Sequence, residues 1–537
     1  MLLCLFFLAA PDPALTVSYT DRMVEIERLH ALGLQVSQLG LERPWDEPFT
    51  PRSLIVPQSW FTGHGKDTSV KASALLADLP ILESIMSRAY GGWETASARG
   101  WNWEKWFADW RAVLAKQGDT ELSLLDAFSP IKAFMAFQLD NHTNIPLNRA
   151  TFFGSGSQQV LLPHAPDHFC SELEDDTGKR TPLAESDPAQ QPRRVQHWDG
   201  KGLSHATYLS VPASRGTLRR VHCGDEWLVV TPVWPPALRF GSTEGDVARA
   251  KPIHDLSSDA QDEPTLKHLG DAVAYLRLPT FNKKNSQLFE QRAPRWPKPN
   301  GKERTLIVDL RDNDGGDANF DALLGWVDDT RLKQAIDLAV NVHRHEGASC
   351  LYEPLRWGYT LVSSTGLRPP LGAELTRDFQ TTLDAFAKTP STPRACPRAF
   401  HDSRSGWDYR QHKLTEASAL AGKRRIIALV NNGCGSDCEL MTEVLAALPE
   451  TVIVGENTFG VAQYIQPGYA VLPHSRLPFR IALGTSDNYG DDRSFDGYGF
   501  DVDVLLTTES DQSPASILAL AAALSDKASD KPGAQAH

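Results

Sequence analysis

The 537-residue chain predicts an α/β fold, and three observations carry that expectation. An apolar run, Ile426 to Val430, meets the turn Asn431-Asn432-Gly433-Cys434-Gly435-Ser436-Asp437-Cys438-Glu439, and Leu440 to Leu448 continues at helical spacing. A second apolar run, Thr305 to Leu310, enters Arg311-Asp312-Asn313-Asp314-Gly315-Gly316-Asp317, with a helix expected from about Asn319. From Asp271 onward strand and helix patterns alternate, the mark of βαβ units, whereas the upstream chain reads first helical and then β-rich.

Length and composition set the frame. A chain this long predicts two to four domains. With 41% hydrophobic and 23% charged residues it is globular and can bury a large core. The net charge of −13 opposes a phosphate-binding surface, which argues against nucleic acid as a partner. Residues 1–16 begin with an apolar stretch, Met1 to Ala10, too short to span a bilayer, followed by Pro11-Asp12-Pro13. It resembles a secretory signal without a basic start, so export to a periplasm or medium is expected. No other stretch is apolar enough to cross a membrane.

Apart from Cys4, the cysteines are 170, 223, 350, 396, 434 and 438. An exported chain permits disulfides, and pairing neighbours in sequence gives 170–223, 350–396 and 434–438.

Residues 17–150 read as a helical N-terminal domain. Met23 to Leu32, Ser73 to Met86 and Trp101 to Leu114 are amphipathic, and their Trp and Leu stripes read as core. The region ends in Leu139-Asp140-Asn141-His142-Thr143-Asn144, where a His in a polar turn has the proton affinity of a general base. Residues 151–262 read as a small β-rich domain. Cys170 to Arg194 is rich in acids and Pro and reads as loop, while Ala206–Val211, Leu218–His222 and Glu226–Val230 read as strands. The α/β core spans 263–330 and 421–508, with strands at 272–278, 305–310, 426–430, 451–455, about 468–473 and 478–484. Residues 331–420 form an insertion over the core, and 509–537 a small helical tail.

The Ser436 turn suits a nucleophile. Its glycines permit a sharp bend, and the following helix presents N–H groups to an oxyanion. Taken alone, it reads as a capped strand–turn–helix joint. Asp309 and Arg311 read as an ion pair beside the turn. His343-His345 and His222-Cys223 lack a third ligand at a recognisable spacing, so no metal is assigned.

Several distant segments together resemble the tail-specific and tricorn-core family of serine peptidases, which includes the C-terminal processing peptidases. Gly270 to Phe281 is similar to the strand opening that family's catalytic core. Ile307 to Gly316 resembles its Asp-Leu-Arg-x-Asn-x-Gly-Gly block. Ser436-Asp437-Cys438-Glu439 resembles its Ser-x-x-Glu nucleophile, and Val454 to Gly460 its Val-Gly-Glu-x-Thr-x-Gly. Gly497 to Val504 resembles its terminal Gly-x-x-Pro-Asp-Val, with Val502 in place of Pro. The resemblance implies a ClpP/crotonase-like βαβ core and peptide-bond hydrolysis without metal or cofactor. The branch that uses a Ser–Lys dyad has lysine directly after Thr-x-Gly, where this chain has Val461, and residues 151–262 show no clear PDZ pattern. The tricorn-like branch uses a His base instead. On that likeness His142 is the base and Asn141 the auxiliary residue. Asp496 is the supporting acid, with Asp487, Asp491 and Asp492 as neighbours. The N–H of Asp437 and the Gly315-Gly316 turn form the oxyanion site, and Glu439 is structural. The expected partner is a peptide or protein substrate. Two other readings compete: a catalytically silent relative that binds peptide or apolar ligand, and a crotonase-type enzyme that would not need Ser436 and His142 to converge.

Overall fold

The computed structural model describes residues 69–138, 140, 142–143, 157–183, 191–212, 218–233, 263–281, 283–296, 302–316, 320–323, 326–327, 331–332, 335–336, 342–344, 424–448, 450–486, 496–508 and 510–526. The expected signal segment, the helix at 23–32, Asn141, the Cys350–Cys396 pair, residues 487–492 and nearly all of the 331–420 insertion lie outside them.

The N-terminal region is helical, as its periodicity predicts. Strand β1 (Ser69–Lys71) precedes α1 (Ala72–Ala89), α2 (Trp93–Ala98) and α3 (Trp103–Gln117). Strand β2 (Glu121–Ser123) pairs antiparallel with β1 and leads into α4 (Leu124–Ala127) and α5 (Ser129–Gln138). Helix α3 starts where the Asn102 side chain accepts the Lys105 N–H at 2.9 Å and stops at Gly118, whose φ of 55° a helix cannot continue. Phe107, Trp110 and Leu114 recur at three- and four-residue spacing and bury one face of it.

The next segment divides in two. Strands β3 (Ser157–Leu162), β6 (Arg193–Trp198), β7 (Leu203–Pro212) and β10 (Thr231–Pro232) join the core sheet. Strands β4 (Cys170–Asp175), β5 (Arg180–Pro182), β8 (Leu218–Cys223) and β9 (Glu226–Val229) form a separate four-stranded sheet in the order β5-β4-β8-β9. Strands β4 and β5 correct the expectation of a loop from Cys170 to Arg194. Their acids are tolerated because distant partners neutralise them. Glu174 receives Arg220 Nε at 2.7 Å and Nη2 at 2.8 Å, and the Cys170–Cys223 disulfide pins β4 to β8.

The ten-stranded core sheet continues with β11 (Thr265–Leu269), β12 (Val273–Arg277), β13 (Thr305–Asp309), β15 (Arg425–Val430), β16 (Thr451–Gly455) and β19 (Val504–Leu506). Strands β12, β13, β15, β16, β19 and β6 run parallel in that order. A parallel sheet is covered on both faces, which is why these strands read as continuous apolar runs. Leu306, Val308, Ile426, Ala428 and Val430 face one layer, with α7 (Asp437–Ala446). Ile307, Ile427, Leu429 and Val454 face the other, under α8 (Pro514–Asp526). Between these elements α6 (Lys283–Arg292) follows β12.

A three-stranded sheet joins the core to the helical region. It contains β14 (Val342–Arg344), β18 (Pro478–Ser486) and β17 (Tyr464–Val471), and its apolar face packs with α1, α3 and α5. The buried carboxylate of Asp78 on α1 accepts the N–H groups of His474 at 3.0 Å and Ser475 at 2.7 Å, capping the β17–β18 turn. The helical region thereby reaches the core and carries His142 with it.

Candidate active site

The carboxyl ends of β13 and β15 lie side by side, with Asp309 in register with Leu429. Two turns leave these ends, and side chains lock one to the other. Asn431 Oδ1 accepts the Asp312 N–H at 2.8 Å, and Asn431 Nδ2 donates to Asp312 Oδ1 at 2.8 Å. The Gly435 N–H donates to Asn313 O at 3.0 Å, and Asn313 Nδ2 to Leu278 O at 2.9 Å.

Ser436 occupies the tip of the second turn, half-buried, with φ 57° and ψ −124°. L-residues avoid this conformation, which costs about 1–3 kcal/mol and persists only where the surroundings impose it. Gly315 (φ 84°) presses against the turn so closely that a Cβ there would lie 2.8 Å from Ser436 Cβ, 2.6 Å from Gly435 O and 3.0 Å from Asp437 N. Only glycine permits this approach.

Glu439, fully buried in the first turn of α7, holds the serine from beneath. Its Oε2 accepts the N–H of Ser436 at 3.2 Å and of Val461 at 2.7 Å. Its Oε1 accepts the Gly460 N–H at 2.6 Å and the Thr458 hydroxyl. Burial pushes the Glu439 acid up to about 7 against the pull of these hydrogen bonds. Cys434 and Cys438, both fully buried, are joined by a disulfide that spans Ser436.

Beneath the first turn, Asp309 is buried among cations. Its Oδ1 accepts Arg311 N–H at 3.1 Å, Arg311 Nε at 2.9 Å and Arg277 Nη1 at 3.3 Å. Its Oδ2 accepts Arg311 Nη2 at 2.6 Å and Tyr275 Oη at 2.9 Å. Burial opposes the charge, yet Arg311 and Arg277 hold the carboxyl well below its usual range. The expected ion pair is therefore a buried cluster.

Val461, where the Ser–Lys branch has its lysine, is buried and packs toward Gly435. Two residues on, the Gln463 N–H donates to Asp496 Oδ1 at 2.8 Å and the Tyr464 N–H to Asp496 Oδ2 at 3.4 Å. Asp496 is fully buried; burial raises its pKa strongly against these amides, and the charges of Glu439 and Asp140 raise it further. Its two hydrogen-bond partners are these backbone amides, of β17 and of the residue before it.

The His142 turn is shaped by Asp140, whose Oδ1 accepts the N–H of His142 at 2.7 Å and of Thr143 at 3.0 Å. Thr143 Oγ1 accepts the Ala482 N–H at 3.1 Å, fastening the turn to β18. Gln138 Nε2 donates to Tyr464 Oη at 2.6 Å, fastening α5 to β17. Burial, then the Arg480 charge, hold His142 well below its ordinary pKa, while the Tyr464 backbone pulls the other way; the imidazole is neutral at pH 7. His142 Nδ1 is buried without a hydrogen-bond partner, and among the described residues no hydrogen bond joins His142 to Ser436.

Within the oxyanion residues, the Gly315 N–H is taken by Asn313 Oδ1 at 2.9 Å. Gly316 follows with φ 130°, bridged to Phe281, and Asp437 opens α7. No group of three or more metal-ligating side chains occurs among the described residues. Cys223 of the His222-Cys223 pair is in the disulfide. The roles of Tyr464 and Gln138 had no signal in the sequence, because each reads as an ordinary core or helix residue.

The sequence model described as peptidase family S41 matches residues 272–505, the segment that holds both turns and Asp496. No curated protein matches the chain. Among solved structures, mature CPAF aligns at 14% identity over 85% of this chain and 98% of its own, with a TM-score of 0.36. The photosystem II D1 C-terminal processing protease aligns at 15% identity over 85% and 98%, with a TM-score of 0.33. The tricorn protease aligns at 13% identity over 85% of this chain and 37% of its own, with a TM-score of 0.33. Residues 272–505 match peptidase family S41, and the chain is a serine-type peptidase.

Proposed function

We propose that Ser436 is the nucleophile and His142 the general base of an exported peptidase of the tricorn-like branch, acting through an acyl-enzyme. A serine hydroxyl attacks only when a base takes its proton. His142, neutral at pH 7, accepts that proton and returns it to the leaving amine; water then attacks the acyl-serine by the same route. The Asp437 N–H opens α7 beside the serine and serves the oxyanion. With the Gly315 N–H engaged by Asn313, the second donor of the Gly315-Gly316 turn is Gly316. Asp496 orients the base with Asn141, which lies outside the described residues.

The observation that carries this reading is the strained Ser436 backbone, held at a helix start against a glycine that leaves no room for a side chain. A serine serving only as a helix cap does not need φ 57°. The competing reading, a silent binding protein for peptide or apolar ligand, draws on buried Val461 and on the absence of a His142–Ser436 hydrogen bond among the described residues.

Labelling with a fluorophosphonate separates the two. The reading expects modification at Ser436, and loss of peptide cleavage in both Ser436→Ala and His142→Ala. Cleavage that persists in either variant removes that residue from its role.

A further inference from the structure

We infer that the Cys434–Cys438 disulfide is a positioning element of the reaction: it holds the nucleophile turn in its strained conformation and contributes little to the stability of the fold. This rests on the reading of Ser436 as nucleophile.

The placement carries the argument. The two sulfurs are joined across a sequence separation of 4, with Ser436 at the midpoint. Ser436 is one of only three non-glycine residues with positive φ among those described. Left to itself, such a residue relaxes toward negative φ, and the flanking Cα atoms then move relative to one another. The disulfide fixes Cys434 and Cys438 at a Cα separation of 5.3 Å and removes that freedom. Its two sulfurs pack against different elements. Cys438 Sγ lies 3.5 Å from Leu310 O, at the start of the turn that carries Gly315, and Cys434 Sγ lies 3.6 Å from Thr442 Oγ1 on α7. The bond therefore packs between α7 and the end of β13, next to the glycine turn.

Chain entropy points the same way. Cross-links stabilise by restricting the unfolded chain, and the effect grows with the closed loop. The Cys170–Cys223 bond, with a separation of 53, restricts far more chain than the bond around Ser436. A link with so little to contribute globally, placed around one strained residue, acts locally. Both cysteines are fully buried, so the bond is part of the folded site and reacts slowly with reagents outside.

The test uses the full chain in three forms: wild type, Cys434→Ala/Cys438→Ala, and Cys170→Ala/Cys223→Ala. The readouts are kcat and KM on an internally quenched peptide, the rate of fluorophosphonate labelling, and Tm. In the 434/438 variant kcat and the labelling rate fall roughly tenfold or more, KM stays within about twofold, and Tm falls less than in the 170/223 variant. Wild-type kcat in the 434/438 variant overturns the inference, as does a Tm loss matching the 170/223 variant with kcat per folded molecule unchanged.

Should that variant not fold, wild type is reduced with a phosphine and reoxidised with glutathione disulfide. In the second step two cysteine thiols lose their protons, the S–S bond forms, and glutathione leaves as two thiols. Activity follows the 434–438 bond, counted by alkylation and mass spectrometry; activity independent of that count overturns the inference. Cleavage by Ser436→Ala would instead overturn the nucleophile reading. An inactive Ser436→Ala beside a fully active 434/438 variant overturns only the role of the disulfide.

Discussion

Replacing Glu439 by Gln changes one oxygen to an amide nitrogen and leaves the volume nearly constant. The carboxylate accepts four hydrogen bonds, two at each oxygen, so these donors favour the ionised form while burial opposes it. In the Gln variant one pair of donors faces an NH2 group. If it replaces Oε2, the N–H groups of Ser436 and Val461 are orphaned; if it replaces Oε1, the Gly460 N–H is. A buried donor left without a partner costs about 1–3 kcal/mol, which sets a loss of about 1–6 kcal/mol for one or two such groups. Only the first arrangement frees Ser436 directly, but both loosen residues 458–461 against the serine turn. A loss of about 3 kcal/mol expressed at the transition state lowers kcat by roughly 150-fold.

The same group predicts a pH profile. With the acid pushed up to about 7, kcat on the wild-type enzyme rises with pH through about 7, as the four-acceptor form fills. Stability moves oppositely. A carboxyl whose folded pKa is raised favours folding below its unfolded value, near 4.3, and that contribution is lost as pH rises through about 7. The assay is kcat and KM from pH 5 to 9 on a quenched peptide, with Tm measured in the same buffers. A Glu439→Gln enzyme with wild-type kcat and Tm at pH 8 refutes the reasoning, because the clamp would then be dispensable.

Two further substitutions test the site from its other sides. Gly315→Ala sets a Cβ 2.6 Å from Gly435 O at a φ of 84°, so the backbone must shift; fluorophosphonate labelling of Ser436 and peptide cleavage both fall by roughly a hundredfold or more, read against Tm. Asp309→Asn leaves buried Arg311 and half-buried Arg277 without their counter-charge and destabilises the protein by about 3–5 kcal/mol, measured by denaturant unfolding at pH 7. Because the native carboxyl is held below its usual range, this penalty shrinks as pH falls below the unfolded value of about 3.9.

The parts of this protein legible in the sequence are those set by local rules. Apolar runs buried on both sides marked the parallel strands, because periodicity needs no knowledge of partners. The glycines of both turns marked the bends, because only glycine tolerates the φ of 84° at Gly315. The spacing of Ser436 and Glu439 reflects one helical turn, so the clamp was visible as a motif although its four donors were not. The Cys434–Cys438 pairing followed from proximity along the chain.

Tertiary structure decided what depends on remote partners. The acid-rich segment from Cys170 forms strands because Arg220 and Cys223 lie opposite it, which no local propensity reports. The β-rich stretch supplies four strands to the core sheet because β6 finds β19 at the far end of the chain. The His142 turn reaches the core through Gln138–Tyr464 and Thr143–Ala482, contacts spanning 326 and 339 residues. Asp496 accepts the amides of Gln463 and Tyr464, contacts that its sequence position does not report. Composition and spacing determine which residues can do chemistry; long-range burial and hydrogen bonding decide where each stands and in which protonation state.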